Sequence, residues 1–185
     1  MRIIGGELKG KQIFPPKGFM ARPTTDFAKE GLFNILTNLY EFENITVLDL
    51  FSGTGSIGYE FVSRGVKSIT SVEMNLSNFK FIRKTVAQLG LKESMHIIHH
   101  NAFDFLPICK LQYNIIFADP PYDIDKLDTI PNTILSYPIL KENGIFILEH
   151  PAAFDFSAHP NFTKVKNYGN VHFSFFTAIT PNAPF

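Results

Sequence analysis

Apolar positions along the chain change their spacing from one segment to the next. From Ile45 onward, short runs of β-branched and aromatic residues alternate with longer stretches whose apolar positions recur at helical spacing. The runs Ile45 to Phe51, Ser68 to Glu73, Met95 to His99, Tyr113 to Ala118 and Gly144 to Glu149 have strand length. Between them, Ile57 to Arg64, Leu76 to Gly90 and Ile124 to Leu135 read as helices, the second with Phe79, Ile82, Val86 and Leu89 as its apolar positions. Strands separated by helices predict a parallel, doubly wound sheet, because each crossover helix covers a face of the sheet. The tail breaks this rhythm. Phe162 to Val165 and Val171 to Ala178 have too little chain between them for a helix, so they predict a hairpin, with one strand antiparallel to the sheet.

Upstream of Ile45 the pattern is different. Arg2-Ile3-Ile4, a Gly5-Gly6 turn signal and the alternating stretch Glu7 to Phe14 predict a small β-hairpin, closed off by Pro15, Pro16 and Gly18. A helix then starts at Thr25 or Asp26, both good N-caps, with Phe27, Leu32, Phe33, Leu36 and Leu39 as its apolar positions. No repeat or internal boundary interrupts the chain. The expected organisation is one domain over 1–185: an arm over 1–24, a helix over 25–40 and an α/β core over 41–185.

Two strand ends carry candidate chemistry. Asp119-Pro120-Pro121-Tyr122 follows the strand Tyr113 to Ala118, so it stands at the carboxyl end of a strand, where open α/β sheets bind ligands. Two consecutive prolines fix two φ angles and remove two N–H donors, leaving a stiff turn that can only accept hydrogen bonds through its backbone. With Asp119 and a proline carbonyl as acceptors and Tyr122 as a stacking face, such a turn suits an exocyclic amine on a planar base. Taken alone, the tetrapeptide is equally well explained as an ordinary turn after a core strand.

The other strand end is Asp49-Leu50-Phe51-Ser52-Gly53-Thr54-Gly55-Ser56-Ile57-Gly58, a glycine loop between strand and helix. Gly53, Gly55 and Gly58 spell a dinucleotide fingerprint, with Glu73 at the end of the next strand as the ribose acid. Asp49, however, lies inside the strand end, where its carboxylate can bind an ammonium. That suits the methionine part of S-adenosylmethionine better than a pyrophosphate. Asn101-Ala102, after the third strand, offers amide groups for an adenine edge. Met74 offers an apolar face for the ring, and Phe51 and Phe103 are candidates to line the same pocket.

Composition narrows the setting. The 185 residues are 45% hydrophobic, with 20 Phe and no Trp, enough for a substantial core. A single cysteine, Cys109, excludes an internal disulfide and a multi-cysteine metal site and points to a reducing compartment. His99-His100 is a weak metal signal, because strand neighbours face opposite ways, and no metal is expected. Neither a signal peptide nor a membrane-spanning run is seen, so the expected location is cytoplasmic. The 17 basic and 17 acidic residues cancel, but residues 1–24 hold five bases and one acid, a locally basic arm. Arg2, Lys9, Lys11 and Lys17 are its candidate phosphate contacts, set against the alternative of an ordinary solvated surface.

Together these motifs carry a resemblance. Asp49 to Gly55, Glu73, Asn101-Ala102 and Asp119 to Tyr122 are similar to the ordered motifs of class I adenosylmethionine-dependent amino-methyltransferases. More narrowly, Arg2 to Gly10, Arg22-Pro23-Thr24-Thr25-Asp26 and Leu32-Phe33-Asn34-Ile35-Leu36 resemble the RsmD family of 16S ribosomal RNA guanine-N(2) methyltransferases, over nearly the whole chain. The resemblance implies a Rossmann-like, seven-stranded, mostly parallel sheet and S-adenosyl-L-methionine as cofactor. It places Arg22 and Thr24 over the cofactor's methionine end and the loop Phe51, Ser52, Gly53, Thr54 and Gly55 around it. It further implies 16S rRNA or the assembling small subunit as substrate and guanine 966 as the target; separately, a monomer is expected. Where family members usually carry bases after Thr-Thr-Asp, this chain has Phe27-Ala28 and only Lys29.

The reaction so implied begins with a poor nucleophile, since the guanine amine's lone pair is delocalised into the ring. Asp119 and the Pro120 carbonyl would accept its two N–H bonds, with Tyr122 stacked on the base. A duplex hides this edge, so the target is expected unpaired or splayed out. Two other functions share the motifs: a DNA adenine-N(6) methyltransferase, disfavoured by the lack of a separate target-reading domain, and a non-catalytic assembly factor that binds cofactor and rRNA. A nicotinamide enzyme stands further off.

Overall fold

The computed structural model describes residues 1–16, 24–122 and 124–178. Lys17 and Arg22, both singled out from the sequence, lie outside the described residues, as does the tail from residue 179. Seven strands form one sheet: β1 (Thr46–Leu50), β2 (Ser68–Glu73), β3 (Met95–His99), β4 (Tyr113–Ala118), β5 (Leu140–His150), β6 (Phe162–Tyr168) and β7 (Val171–Thr177), in the order β3-β2-β1-β4-β5-β7-β6. The first five are parallel, and β7 pairs antiparallel to both β5 and β6. The doubly wound sheet with an antiparallel terminal hairpin is therefore present as expected.

Alternation along the central strands divides the interior in two. Val47, Ile115, Phe117, Ile147, Phe173 and Phe175 face one way, while Leu48, Leu50, Ile116, Phe146, Leu148 and Phe176 face the other. Helices α1 (Asp26–Thr37), α2 (Ser56–Ser63) and α3 (Leu76–Gln88) bury residues in the first layer. Helices α4 (Ala102–Phe105) and α5 (Ile130–Leu135) do so in the second. Sandwiching a sheet on both faces explains why the strands read as continuous apolar runs.

Several boundaries differ from the sequence reading. The helix expected from Ile124 starts only at Ile130, after a 3-10 turn over Leu127–Thr129. Lys126 is left-handed at φ 61°, which breaks a right-handed helix, and Pro131 fits only the first helical turn. Strand β5 begins four residues before Gly144, the extra length accommodated by a register shift and by Asn143 at φ 58°. Apolar spacing does not predict the short α4. Helix α1 ends at Thr37, and both Phe27 and Leu39 are exposed instead of facing the core. Phe27 meets Tyr168 edge to face at 5.5 Å.

At the N-terminus the expected hairpin reduces to one antiparallel bridge between Arg2 and Gln12, with a wide turn over 5–10. The two glycines do not make a tight turn there. They let the chain lie against the end of α2: a Cβ on Gly6, which has φ 73°, would stand 1.7 Å from the Ser63 carbonyl oxygen. The closeness is used, since the Glu7 N–H donates to that carbonyl at 2.7 Å and the Leu8 N–H to Ser63 Oγ at 2.9 Å. Buried Lys29 then ties the arm to two helices. Its ammonium donates to the Arg2 carbonyl and, at 3.0 Å, to Glu60 Oε1, which also accepts from the Ile4 N–H.

Candidate active site

A cleft of about 800 Å³ opens at the carboxyl ends of β1, β2, β4 and β5. Of the residues singled out from the sequence, Thr24, Asp49, Phe51, Ser52, Gly53, Thr54, Glu73, Met74, Asn101, Ala102, Asp119, Pro120, Pro121 and Tyr122 line it. Thr24 and Glu149, 125 residues apart in the chain, meet there, and the lining reaches on to Val171. Gly55 sits just behind the lining as the N-cap of α2, its φ of 79° available to glycine without strain.

The loop after β1 is held tightly. Ser52 N–H donates to the Val72 carbonyl at 3.0 Å, and Ser52 Oγ donates to the Asp49 carbonyl at 2.9 Å. Phe51 takes φ 61°, a region unfavourable for a bulky residue and common at ligand-binding turns. Thr54 is buried, its hydroxyl reaching Met1 Sδ at 3.2 Å. Glu73 Oε2 accepts from the Gly53 N–H at 2.7 Å and Oε1 from the Asn75 N–H at 2.6 Å. Each oxygen keeps a lone pair, so a fixed carboxylate with spare acceptor capacity faces the cleft, as a ribose diol requires.

Asp49 is 2% exposed, and its Oδ2 has no hydrogen-bond partner among the described residues. An orphaned carboxylate oxygen facing a cleft is the acceptor that an ammonium would satisfy. Burial pushes the Asp49 carboxyl up to about 7; the Glu73 charge adds to the push, while the hydroxyls of Ser52 and Ser71 draw it down.

Beside Glu73, Met74 is exposed and Phe51 and Phe103 meet edge to face at 5.6 Å, giving an apolar slot that could take an adenine ring. Asn101 is divided between two tasks. Its Oδ1 caps α4 by accepting from the N–H groups of Phe103 and Asp104, and its Nδ2 lies 3.4 Å from Met74 Sδ. The orphaned Asp49 oxygen, the fixed Glu73 carboxylate, the glycine loop and the apolar slot together fit S-adenosyl-L-methionine.

The turn after β4 forms the opposite wall. The Pro121 carbonyl accepts from the Ile124 N–H at 3.0 Å, whereas no hydrogen bond among the described residues occupies the Pro120 carbonyl. Burial pushes Asp119 well above the usual carboxylate range, and the charges of Glu149 and Asp49 push the same way. Glu149 closes the same wall; in the sequence, Glu149-His150 ends the fifth strand, where it could contact substrate or equally cap the sheet. It stands one residue before the end of β5, beside the turn, almost fully buried, accepting from Thr24 Oγ1 at 3.0 Å and from the Tyr122 hydroxyl at 3.5 Å. Burial raises it to about 7, against those two hydrogen bonds. Only its place at a strand's carboxyl end beside the other motifs marked it in the sequence. Its neighbour His150 faces the core, bonded to Ser174 at 2.8 Å.

Other residues singled out from the sequence lie elsewhere. Arg2 pairs with Asp26 at 3.0 Å, and Lys9 and Lys11 are exposed on the arm. His99 stacks on Phe79 and bonds the Met74 carbonyl, and His100 lines the cleft. Among the described residues no three His, Cys, Asp or Glu gather as a metal-holding group.

A sheet in the order β3-β2-β1-β4-β5-β7-β6, with a glycine loop after β1 and Asp-Pro-Pro-Tyr after β4, has the class I methyltransferase fold. A family model described as conserved hypothetical protein 95 matches residues 1–177, and the chain belongs to that family, the RsmD family. Ribosomal RNA small subunit methyltransferase D of Escherichia coli K12 is 33% identical over 144 residues, 78% of this chain and 68% of the relative. Among solved structures, the hypothetical protein TTHA0928 of Thermus thermophilus superposes with a TM-score of 0.84 at 24% identity, over 96% of this chain and 99% of that one. The 16S rRNA N2 G1207 methyltransferase of the same organism, in complex with AdoMet and guanosine, shares the fold at a TM-score of 0.69 and 19% identity, over 86% and 45%.

Proposed function

We propose that the chain transfers a methyl group from S-adenosyl-L-methionine to the exocyclic N(2) amine of a guanine in 16S rRNA of the small ribosomal subunit, with guanine 966 as the proposed position. The observation that carries the reading is the junction of two half-sites in one cleft: a carboxylate-lined loop suited to a cationic cofactor, and a proline-stiffened turn with acceptors for an amine. The names of the relatives support ribosomal RNA as the substrate class.

When bound, the cofactor supplies an electrophilic methyl group on a sulfonium. The protein's own part is placement. Asp119 and the Pro120 carbonyl accept the two N–H bonds of the amine, which aims the nitrogen lone pair along one direction. Tyr122, 43% exposed, offers its ring to the base while Glu149 holds its hydroxyl. Positioning of this kind can contribute on the order of 7 kcal/mol to a barrier. Once alkylated, the amine becomes acidic, and the carboxylates of Asp119 and Glu149, both raised in proton affinity, stand beside it to take the proton.

The test is labelled methyl transfer to unmodified small subunits, deproteinised 16S rRNA and unmethylated DNA, followed by digestion to nucleosides. N(2)-methylguanosine from either ribosomal substrate is the expected product. N(6)-methyladenine from DNA, or no transfer with cofactor still bound, would overturn the reading in favour of a DNA enzyme or an assembly factor.

A further inference from the structure

A second concavity, of about 640 Å³, runs along α3 and the edge strand β3. Every strongly charged residue lining it is basic: Lys80, Arg83 and Lys84 from α3, and Lys92 from the connection that follows, with His96 beside them on β3. Positions 80, 83, 84 and 87 share one face of a helix, and all four are exposed. Among the described residues, no carboxylate forms an ion pair with any of these cations. Arg83 instead lies over the Phe79 ring at 5.4 Å. In a chain whose charges sum to zero, four such cations in one groove make a local field of a kind the rest of the surface must offset.

The groove and the cleft share no lining residue, but the same two elements reach both. Asn75 and Asn78, at the start of α3, line the cleft, and β3 leads directly into Asn101. From Lys80 to Lys84 the helix rises roughly 6 Å, and Lys92 adds a fourth cation to the same groove. The arm docks at the carboxyl end of α2, and none of its described residues lines the groove.

We infer that the α3–β3 groove binds the phosphate backbone of the RNA substrate, as a second contact that holds the RNA while its target base enters the cleft. This rests on the rRNA reading above for the identity of the polyanion. The contact explains how a chain with no net charge engages RNA: its cations are segregated, not abundant.

The test uses the full chain carrying Lys80→Glu, Arg83→Glu and Lys84→Glu together, a separate Lys92→Glu variant, and Lys84→Arg as the charge-conserving control. Equilibrium binding to unmodified 16S rRNA is measured across a range of salt, alongside adenosylmethionine binding and methyl transfer. The triple variant is expected to bind rRNA at least about tenfold more weakly, with a salt dependence shallower by about one for each phosphate that the groove no longer neutralises. Cofactor affinity, which also reports intact folding, and turnover at saturating RNA should hold, and Lys84→Arg should behave as native. Unchanged affinity and salt dependence in the triple variant would overturn the inference. So would loss of binding to phosphatidylglycerol vesicles with rRNA binding unaffected, which would make the groove a membrane contact. Failure of the native chain to methylate any rRNA would count against the functional reading alone, because the salt comparison still decides the groove.

Discussion

A carboxylate that accepts hydrogen bonds from an amine does so best when ionised, yet Asp119, Asp49 and Glu149 each sit where burial favours the protonated form. A cationic ligand resolves that conflict. Adenosylmethionine carries a sulfonium and an ammonium, so its affinity is expected to rise with pH through about 7, the region to which Asp49 and Glu149 are raised. The gain is on the order of tenfold between pH 6 and 8 for one such group. Calorimetric titration would show it, and adenosylhomocysteine, lacking the sulfonium, should show less. Asp119→Ala is expected to lower kcat at least about a hundredfold, roughly 2.7 kcal/mol, while leaving cofactor affinity within a few fold; single-turnover assays with parallel binding titrations separate the two. Tyr122→Ala removes a stacking face worth about 1–3 kcal/mol, and its loss should appear in the efficiency with rRNA and leave cofactor binding intact.

Helix α1 and the arm are held by a buried charge network. Lys29 and Glu60 are 1% and 0% exposed and lie 3.0 Å apart, with Asp26, Arg64 and the Arg2 carbonyl around them. Removing Lys29 leaves buried Glu60 with Arg64 as its remaining cation, so Lys29→Met is expected to destabilise the fold by less than the roughly 3–5 kcal/mol of an isolated buried pair broken outright. Replacing both Lys29 and Glu60 with apolar residues should cost less than Lys29→Met alone. Urea unfolding of the three proteins decides this, and a double variant weaker than the single would refute the account. The same network joins the arm to α2, whose N-cap is Gly55 of the cofactor loop. The arm is therefore a brace for the loop as well as a basic surface.

Over the whole molecule, the raised carboxylates make stability depend on pH in a definite direction. Asp49 and Glu149 hold protons in the folded chain up to about 7 but in the unfolded chain only to about 4. Between those limits the folded state binds more protons, so stability falls as pH rises through the window. In the absence of cofactor, the thermal midpoint should decline from pH 5 to pH 8, and Asp49→Asn should flatten that decline. His150, lowered by burial, acts in the opposite sense at the acid end, but it is common to both proteins and cancels from the comparison. Coincident curves for the native and Asp49→Asn chains would remove Asp49 from the account.

What could be read in the sequence was what period and local chemistry encode. Strand runs such as Tyr113 to Ala118, the glycine loop, Asp119 to Tyr122 and the N-cap Thr25 each declare themselves within a few residues, because burial on both faces, a sharp turn or a cap is a local demand. Gly5-Gly6 misled, since the glycines serve a close approach to Ser63 in a helix more than fifty residues on. Lys126 broke a helix that apolar spacing alone continued. Glu149 needed tertiary structure to be seen beside Asp119 and Thr24, and so did the α3–β3 groove, whose cations are spread along the chain among apolar and polar neighbours. The sequence alone determined the architecture and marked the residues that line the two half-sites, because periodicity and turn chemistry act over short distances. Only the tertiary structure decided which charges meet, because fields and buried pairs depend on distance in space and not along the chain.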